Sequence, residues 1–307
     1  MLFHEIGVEP NSILDLNIEP HLKSSFGLSK GRLISKFPRN WLDEVRRNIN
    51  QLPDGFHKIK MKNVINDHHF MNSIVDFDRT YVSDGWYANA IKENAIKPFN
   101  ALITKDLNSP PLSFDVNHLN EFIDFSDIDV GYCQVKSKTV SELCAELEPF
   151  LRLNKAIVLE NYSQTLLSSN KTKALFENIF FKWKTFGGID FKVITSLHRL
   201  KNEVFEIESD LLKQFFKNSS FKGSFKFIAV DDQKNKLHER YLLGPLSGIE
   251  LGYGLETSTR DHSWKLINKA SFINVKRRFL DADIRDEFPE YKEFCFRNGQ
   301  IKIVDKT

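Results

Sequence analysis

Three apolar runs, each preceded by a segment with helical periodicity, constrain the fold of this chain of 307 residues most strongly. The apolar runs are 155–160, 191–196 and 225–230, and the helical segments are 141–153, 171–186 and 209–217. Strands that are apolar along their whole length are typical of a sheet covered on both faces. Helices between successive strands favour right-handed crossover connections. The sequence therefore predicts an α/β domain over residues 126–307.

The segment in front of this domain has its own helix and strand signals. Residues 41–49 and 83–96 have the spacing of amphipathic helices, and 101–103 reads as a strand. Pro110 and Pro111 break this pattern, and an acidic stretch follows over 115–129. We predict a smaller mixed α/β N-terminal domain over residues 1–125, to which the sequence assigns no role.

Charge and cysteine content narrow the class of protein. The 43 basic and 41 acidic residues leave a net charge of +2, so an anion site has to be a local patch. The three cysteines are odd in number and lack C-x-x-C spacing, which disfavours a disulfide framework and a zinc site. We expect no metal and no cofactor. No apolar run reaches the roughly 20 residues that span a bilayer. A cytoplasmic protein without a transmembrane segment is the resulting expectation.

The segment 225–256 combines strand patterns with polar residues that suit a binding site. The apolar runs 225–230 and 241–243, separated by a polar turn over 231–235, predict a β-hairpin. His238 and Arg240 are alternate residues and are therefore predicted to share one face of a strand. An arginine fork matches phosphate and carboxylate groups. The alternative for His238 is a partly buried strand histidine that bonds a neighbouring backbone group.

Residues that follow this strand are candidates for lining the same site. Gly252 and Gly254 are spaced so that the backbone can approach a ligand or another strand closely. Glu256, Thr257 and Ser258 open a polar loop rich in hydroxyl groups, which we interpret as a lip of the site.

His238-Glu239-Arg240, with Gly252 fourteen residues after the histidine, resembles the phospholipase D superfamily signature H-x-K-x4-D-x6-G-S-x-N. The resemblance covers roughly residues 140–307 and implies a phospholipase D-like half-domain, with a mixed sheet flanked by helices. It also implies that His238 attacks phosphorus to form a phosphohistidine without metal, and that Arg240 clamps the phosphoryl oxygens. A second histidine would come from a symmetry mate, so the resemblance implies a homodimer through the site.

Several positions depart from that signature. Arg240 stands at the lysine position, Pro245 at the aspartate, and Tyr253 and Leu255 at the serine and the asparagine. The variant pattern, H-[DE]-R with a later G-x-G-L-[DE], is more similar to a divergent branch. That branch includes the phospholipase D-like C-terminal domain of the microtubule-interacting and trafficking domain proteins, together with uncharacterised bacterial proteins associated with defence. Its eukaryotic members are regarded as non-catalytic phosphate or lipid binders.

The resemblance leads to one main functional expectation and leaves alternatives open. We expect a bacterial component of an anti-phage or mobile-element system that binds a phosphodiester, in nucleic acid, with weak or absent hydrolysis at His238. The first alternative is an active dimeric phospholipase D-family nuclease. The second is a non-catalytic interaction subunit with protein partners from the same operon, or a binder of anionic lipid.

Overall fold

The computed structural model describes residues 1–15, 18–82, 85–105, 113–115, 130–162, 165–217, 219–234, 236–257 and 259–307. Two compact units make up the chain, Phe3–Gly131 and Tyr132–Thr307. The predicted boundary at residues 125/126 lies outside the described residues. Each unit has a sheet of its own.

The first unit is built around a five-stranded parallel sheet. Its strands are β1 (His4–Val8), β2 (Arg32–Ser35), β3 (Ile74–Val75), β4 (Ala101–Thr104) and β5 (Ser113–Asp115). Their order is β3-β2-β1-β4-β5, and each neighbouring pair is parallel. Parallel strands need crossover connections. Helices in this unit are α1 (Ile18–Ser25), α2 (Trp41–Gln51), α3 (Phe56–Asn66), α4 (His68–Met71) and α5 (Trp86–Ile96).

The core of the first unit confirms the helix and strand signals read there. Ile6 and Ile103 of the sheet are buried together with Val45 and Ile49 of α2. At the start of α2, the Trp41 indole donates a hydrogen bond of 2.6 Å to the Val8 carbonyl. The predicted helix over 83–96 begins at residue 86, and the strand at 101 extends to residue 104.

The second unit contains a nine-stranded mixed sheet. Its strands are β6 (Tyr132–Gln134), β7 (Ala156–Asn161), β8 (Asp190–Ser196), β9 (Ser224–Val230), β10 (Arg240–Leu243), β11 (Gly248–Glu250), β12 (Ser263–Leu266), β13 (Tyr291–Arg297) and β14 (Gln300–Asp305). The order is β14-β13-β9-β8-β7-β10-β11-β12-β6. Strands β7, β8 and β9 are parallel, and the other pairs are antiparallel.

Helices cover both faces of the central strands. They are α6 (Val140–Leu153), α7 (Asn170–Thr185), α8 (Leu197–Leu200), α9 (Asn202–Lys217), α10 (Lys269–Lys276) and α11 (Ile284–Glu287), with a π-helical turn over Arg277–Asp281. On one face, Phe180 of α7 and Phe216 of α9 pack on Phe225. On the other face, Ile194 and Ile228 are buried with residues that follow α10. The predicted α/β fold with a mixed sheet flanked by helices is confirmed.

The predicted hairpin between 225–230 and 241–243 is wrong. Both edges of β9 are occupied, because β8 pairs with it in parallel and β13 pairs with it antiparallel. The chain therefore crosses two strands, and β10 pairs with β7 and β11 instead. The same sequence pattern, two apolar runs joined by a polar turn, is compatible with a hairpin and with a longer connection. Which strands pair depends on the other strands of the sheet, and here β8 and β13 already pair with β9.

Local capping and turn signals are resolved at two places. Asn298 and Gly299 form the two-residue turn between β13 and β14, with φ values of 50° and 84°, as the Asn-Gly pair predicts. Helix α6 is capped by Thr139 and Glu142 in a reciprocal capping box. The predicted cap, Ser141, is already inside the helix.

Candidate functional site

The carboxyl ends of β7, β8 and β9 meet at one edge of the second sheet because these strands are parallel. We call this edge the carboxyl edge. Asn161 ends β7 and Ser196 ends β8. Strand β10 runs antiparallel to β7 and begins at the same edge, with Arg240 opposite Asn161. Open α/β sheets bind their ligands outside the carboxyl ends of parallel strands. The topology therefore places Arg240 where a ligand site is expected.

The Arg240 guanidinium has few protein partners. Its Nη1 donates a hydrogen bond of 3.3 Å to the Gly252 carbonyl. Its Nε is buried and has no hydrogen-bond partner among the described residues. The guanidinium carbon lies 5.8 Å from the centroid of the Tyr162 ring. Within the described ranges no carboxylate forms an ion pair with Arg240. Most of its donor capacity is thus available to an anion.

A second arginine reaches the same tyrosine from the neighbouring strand. Arg199 lies in α8, directly after β8, and its Nε donates a hydrogen bond of 2.7 Å to the Tyr162 hydroxyl. The Arg199 guanidinium carbon lies 5.5 Å from the ring centroid. Guanidinium groups beside an aromatic ring can hold phosphate and also offer a stacking surface. Arg199 is exposed, whereas Arg240 and Tyr162 are half-buried.

His238 precedes β10 and does not share the strand with Arg240, contrary to our prediction. The loop in front of it is fixed by Asp232, whose carboxylate accepts the backbone N–H groups of Lys236 and Leu237 at 2.7 and 2.8 Å. The His238 side chain is 64% exposed, and its Nε2 lies 3.5 Å from Glu239 Oε1. A histidine held this loosely is accessible to a ligand but is not oriented for attack.

Glu160 is a buried carboxyl group at the end of β7. It is 1% exposed, and neither side-chain oxygen has a hydrogen-bond partner in the part of the chain that the structure describes. Burial raises the pKa of Glu160 to about 8, although the charges of Arg240 and Arg278 oppose this shift. The group is therefore mostly protonated at neutral pH.

A cavity of about 230 Å³ joins Glu160 to His238. Leu237, Tyr241 and Phe279 contribute to its walls. Burial raises the pKa of Tyr241 to about 12, so its phenol is neutral. Arg240 is not among the residues that line this cavity. His238 and Arg240 therefore border neighbouring surfaces, one at the cavity and one at the carboxyl edge.

The two glycines predicted to line the site instead allow the turn after β11 to pack closely against the neighbouring strand. Gly252 and Gly254 have φ values of 58° and 118°, which favour glycine. A Cβ atom at Gly252 would lie 2.8 Å from the Ser263 carbonyl oxygen. The Gly254 carbonyl accepts a hydrogen bond of 3.2 Å from the Trp264 indole. The close approach that the spacing predicts is thus to β12, while the Gly252 carbonyl also positions Arg240.

The predicted lip residues are placed differently. Thr257 is bound to the start of α7, because its backbone N–H and its hydroxyl both donate to the Lys171 carbonyl, at 3.2 and 3.4 Å. Glu256 is half-buried, and its charge acts on His262. Ser258 lies outside the described residues.

A second histidine, His262, lies under the Gly252 turn. It is 8% exposed, and neither ring nitrogen has a hydrogen-bond partner among the described residues. Burial lowers the pKa of His262, against the charges of Glu256 and Asp261. The cavity that holds His238 is not lined by His262. This chain therefore brings no second histidine to His238 within the described cavity.

Three residues of the carboxyl edge carry chemistry that the sequence reading missed. They are Glu160, Tyr162 and Arg199. Glu160 and Tyr162 stand where the apolar run of β7 ends, and Arg199 stands just after β8. Polar residues at the carboxyl ends of apolar runs were the signal that could have identified them.

No protein-family model and no curated protein matches the chain. Across the described ranges, no group of three or more His, Cys, Asp or Glu side chains is arranged to hold a metal ion. None of the helices in those ranges has the length and apolar character needed to cross a membrane.

Proposed function

We propose that the second unit binds the phosphodiester backbone of a nucleic acid at the carboxyl edge, with Arg240 as the main anion ligand. The meeting of Arg240 and Arg199 at the Tyr162 ring carries this proposal. An arginine fork binds phosphate oxygens in a bidentate way, and an aromatic ring beside it can stack on a base.

The charge of Arg240 is not cancelled by the nearby buried acid. Because burial raises the pKa of Glu160 to about 8, its carboxyl group is mostly neutral at pH 7. The whole chain carries a net charge of only +2, so attraction has to come from this local edge. These charges support modest, salt-sensitive binding.

We propose that hydrolysis of the bound phosphodiester is slow or absent. A histidine nucleophile needs a neighbouring group that fixes its ring orientation. The His238 side chain is 64% exposed, and its Nε2 lies 3.5 Å from the Glu239 carboxylate, which is itself exposed. Binding by Arg240 needs no such orientation, and only preferential stabilisation of the transition state gives rate.

We further propose that residues 126–307 form a divergent phospholipase D-like domain of a bacterial anti-phage or mobile-element system. The α/β order and the H-x-R sequence before and at the start of β10 support the family proposal. The proposed role in such a system would be tested by whether the gene for this protein lies beside genes of anti-phage or mobile-element systems. The three cysteines, which form no disulfide, support a reducing cytoplasm as its compartment.

Replacing Arg240 by glutamine should weaken binding of single-stranded DNA or RNA about tenfold at low salt, because a phosphate contact is lost. The slope of log affinity against log salt concentration should fall by about 0.7, the value for one phosphate contact on a single strand. Fluorescence anisotropy in EDTA over a salt series measures both quantities.

Arg297→Gln is the matched control, because Arg297 is exposed at the opposite edge of the same sheet. Its affinity should stay within about twofold of the unchanged protein. Equal losses in the two variants would mean diffuse electrostatic binding and would overturn the assignment to the carboxyl edge. Binding to anionic vesicles in preference to nucleic acid would favour the lipid alternative.

Incubation with DNA, RNA or a generic phosphodiester in EDTA should give no turnover, or turnover that His238→Ala leaves unchanged. The reason is the loose placement of the His238 ring. Product formation over hours, measured by gel and by phosphodiester chromophore release, checks this. Robust turnover lost in His238→Ala would establish the active nuclease instead, and its dependence on protein concentration would report a dimer.

A further inference from the structure

The cavity next to Glu160 has apolar walls at depth, and Glu160 is the most buried of the polar residues that line it. The others are Lys236, His238, Glu239, Asn274 and Arg278. Glu160 is 1% exposed, whereas Leu237 and Phe279 bury their side chains against the same space. Lys236 and His238 are exposed and mark its opening. Ligand pockets of proteins commonly combine apolar walls with few fixed polar groups.

The Glu160 carboxyl group has unmet hydrogen-bonding capacity. Neither of its oxygens has a partner among the described residues. The two nearby arginines donate elsewhere, Arg240 to the Gly252 carbonyl and Arg278 to both oxygens of Glu287. Buried polar groups in native proteins are nearly always bonded. Both oxygens are shielded from solvent, so a bound group with an N–H donor would supply the missing bond once the Glu160 side chain turns toward the cavity that it lines.

We infer that this cavity receives a nucleobase of the bound nucleic acid, with an N–H group of the base donating to Glu160. The inference rests on the proposed function, because the phosphate of the same strand would lie at Arg240. A base has apolar faces and a polar edge, the same division as the cavity walls and Glu160. Proteins that act on single bases hold them in pockets of this kind. An acyl chain would leave Glu160 without a donor.

The two binding surfaces are adjacent along one segment of chain. Arg240 lies between Glu239 and Tyr241, and both of these residues line the cavity. Successive side chains of a strand point to opposite faces, so Arg240 lies on the other side of β10 from Glu239 and Tyr241. Its guanidinium is nevertheless close enough to Glu160 to lower the pKa of that carboxyl group, and it lies 5.8 Å from the ring of Tyr162, which packs on the same apolar cluster as Tyr241. A nucleic-acid strand that passes over the start of β10 would reach both the guanidinium and the cavity. The mostly protonated carboxyl, with the pKa of Glu160 near 8, can also donate to a ring nitrogen or a carbonyl of the base.

Calorimetric titration of the full chain in EDTA with AMP, CMP, GMP, UMP and ribose 5-phosphate tests this inference. At least one nucleotide should bind about tenfold more tightly than ribose 5-phosphate, the effect of an added buried hydrogen bond. Glu160→Leu should reduce this ratio to about two, whereas Glu160→Gln, which keeps an acceptor oxygen, should hold it within about threefold. Glu206→Leu, at an exposed position of α9 that does not line the cavity, should leave the ratio unchanged.

The outcomes separate the two proposals. If ribose 5-phosphate binds in a way that Arg240→Gln weakens, but no base adds affinity, the nucleobase inference fails and the phosphate site stands. The nucleobase inference also fails if the ratio of nucleotide affinity to ribose 5-phosphate affinity is the same in Glu160→Leu and in the unchanged protein. If single-stranded DNA and RNA do not bind, or bind the Arg240→Gln variant as tightly as the unchanged protein, the proposed function itself fails.

Discussion

Between pH 4.5 and pH 8 the second unit should lose about 5 kcal/mol of unfolding free energy through Glu160, and Glu160→Leu should remove this loss. The unfolded carboxyl ionises near pH 4.5, while burial raises its folded-state pKa to about 8. Between these values the folded state holds one more proton, so stability falls as pH rises. The contribution is complete below pH 4.5 and lost above pH 8.

The charged groups around Glu160 give this prediction a second, independent readout. Arg240 and Arg278 lower the pKa of Glu160, whereas Glu239 and Asp232 raise it. Removing the Arg240 charge should raise the pKa of Glu160 further. In Arg240→Gln the unfolding free energy should therefore keep falling to a higher pH than in the unchanged protein. At neutral pH, Glu160→Leu should make the second unit more stable by about 1–3 kcal/mol, because a carboxyl without a partner leaves the core.

Urea titrations at several pH values, followed by hydrogen exchange of the β7 and β8 amides, assign the change to the second unit. Glu250→Leu serves as the control because Glu250 is exposed on β11. Its pH profile should run parallel to that of the unchanged protein. If the Glu160→Leu profile also runs parallel, Glu160 titrates normally and has a partner or water that satisfies it.

The central strands could be predicted from the sequence because their information is local. Apolar runs that fill a strand, such as 191–196, and a turn such as Asn298–Gly299 specify their own conformation. The position of β10 could not be predicted in this way. It depends on β8 and β13 occupying both edges of β9, and these strands are far apart in the chain.

The candidate site shows the same division. The segment with His238 and Arg240 was visible as a polar interruption between apolar runs. Its partners were not visible, because Tyr162 and Arg199 are brought together only when β7 and β8 pair in parallel. Whether these residues act as a site remains a prediction for the binding measurements.

A buried carboxylate in α9 should have an effect on stability almost as large as that of Glu160. Glu208 is 0% exposed and accepts the backbone N–H groups of Leu166, Leu167 and Ser168 at 2.9, 2.7 and 3.0 Å. These three amides belong to the loop between β7 and α7. One side chain therefore accepts three backbone hydrogen bonds from the loop that follows Tyr162 at the carboxyl edge.

Glu208→Leu should lower the unfolding free energy of the second unit by about 3–5 kcal/mol, because buried N–H groups lose their acceptor. The unfolding free energy of Glu208→Gln should lie between those of Glu208→Leu and the unchanged protein. The glutamine keeps one acceptor oxygen but places an amide NH₂ against the backbone donors. Urea unfolding, again followed by amide exchange in β7 and β8, measures both variants.

Glu206→Leu is the control for the same helix, because Glu206 is exposed. The unfolding free energy of this variant should stay within about 0.5 kcal/mol of that of the unchanged protein.

Amide exchange in the loop after β7 gives a local measurement of the same effect. In Glu208→Leu the amides of Leu166 and Leu167 should exchange faster than those of β8, because the loop opens before the sheet does. Phosphate affinity should then fall even where the sheet stays folded, since Tyr162 immediately precedes this loop and contacts Arg240. Unchanged exchange at Leu166 and Leu167 would mean that the loop is held by its apolar side chains instead of by Glu208.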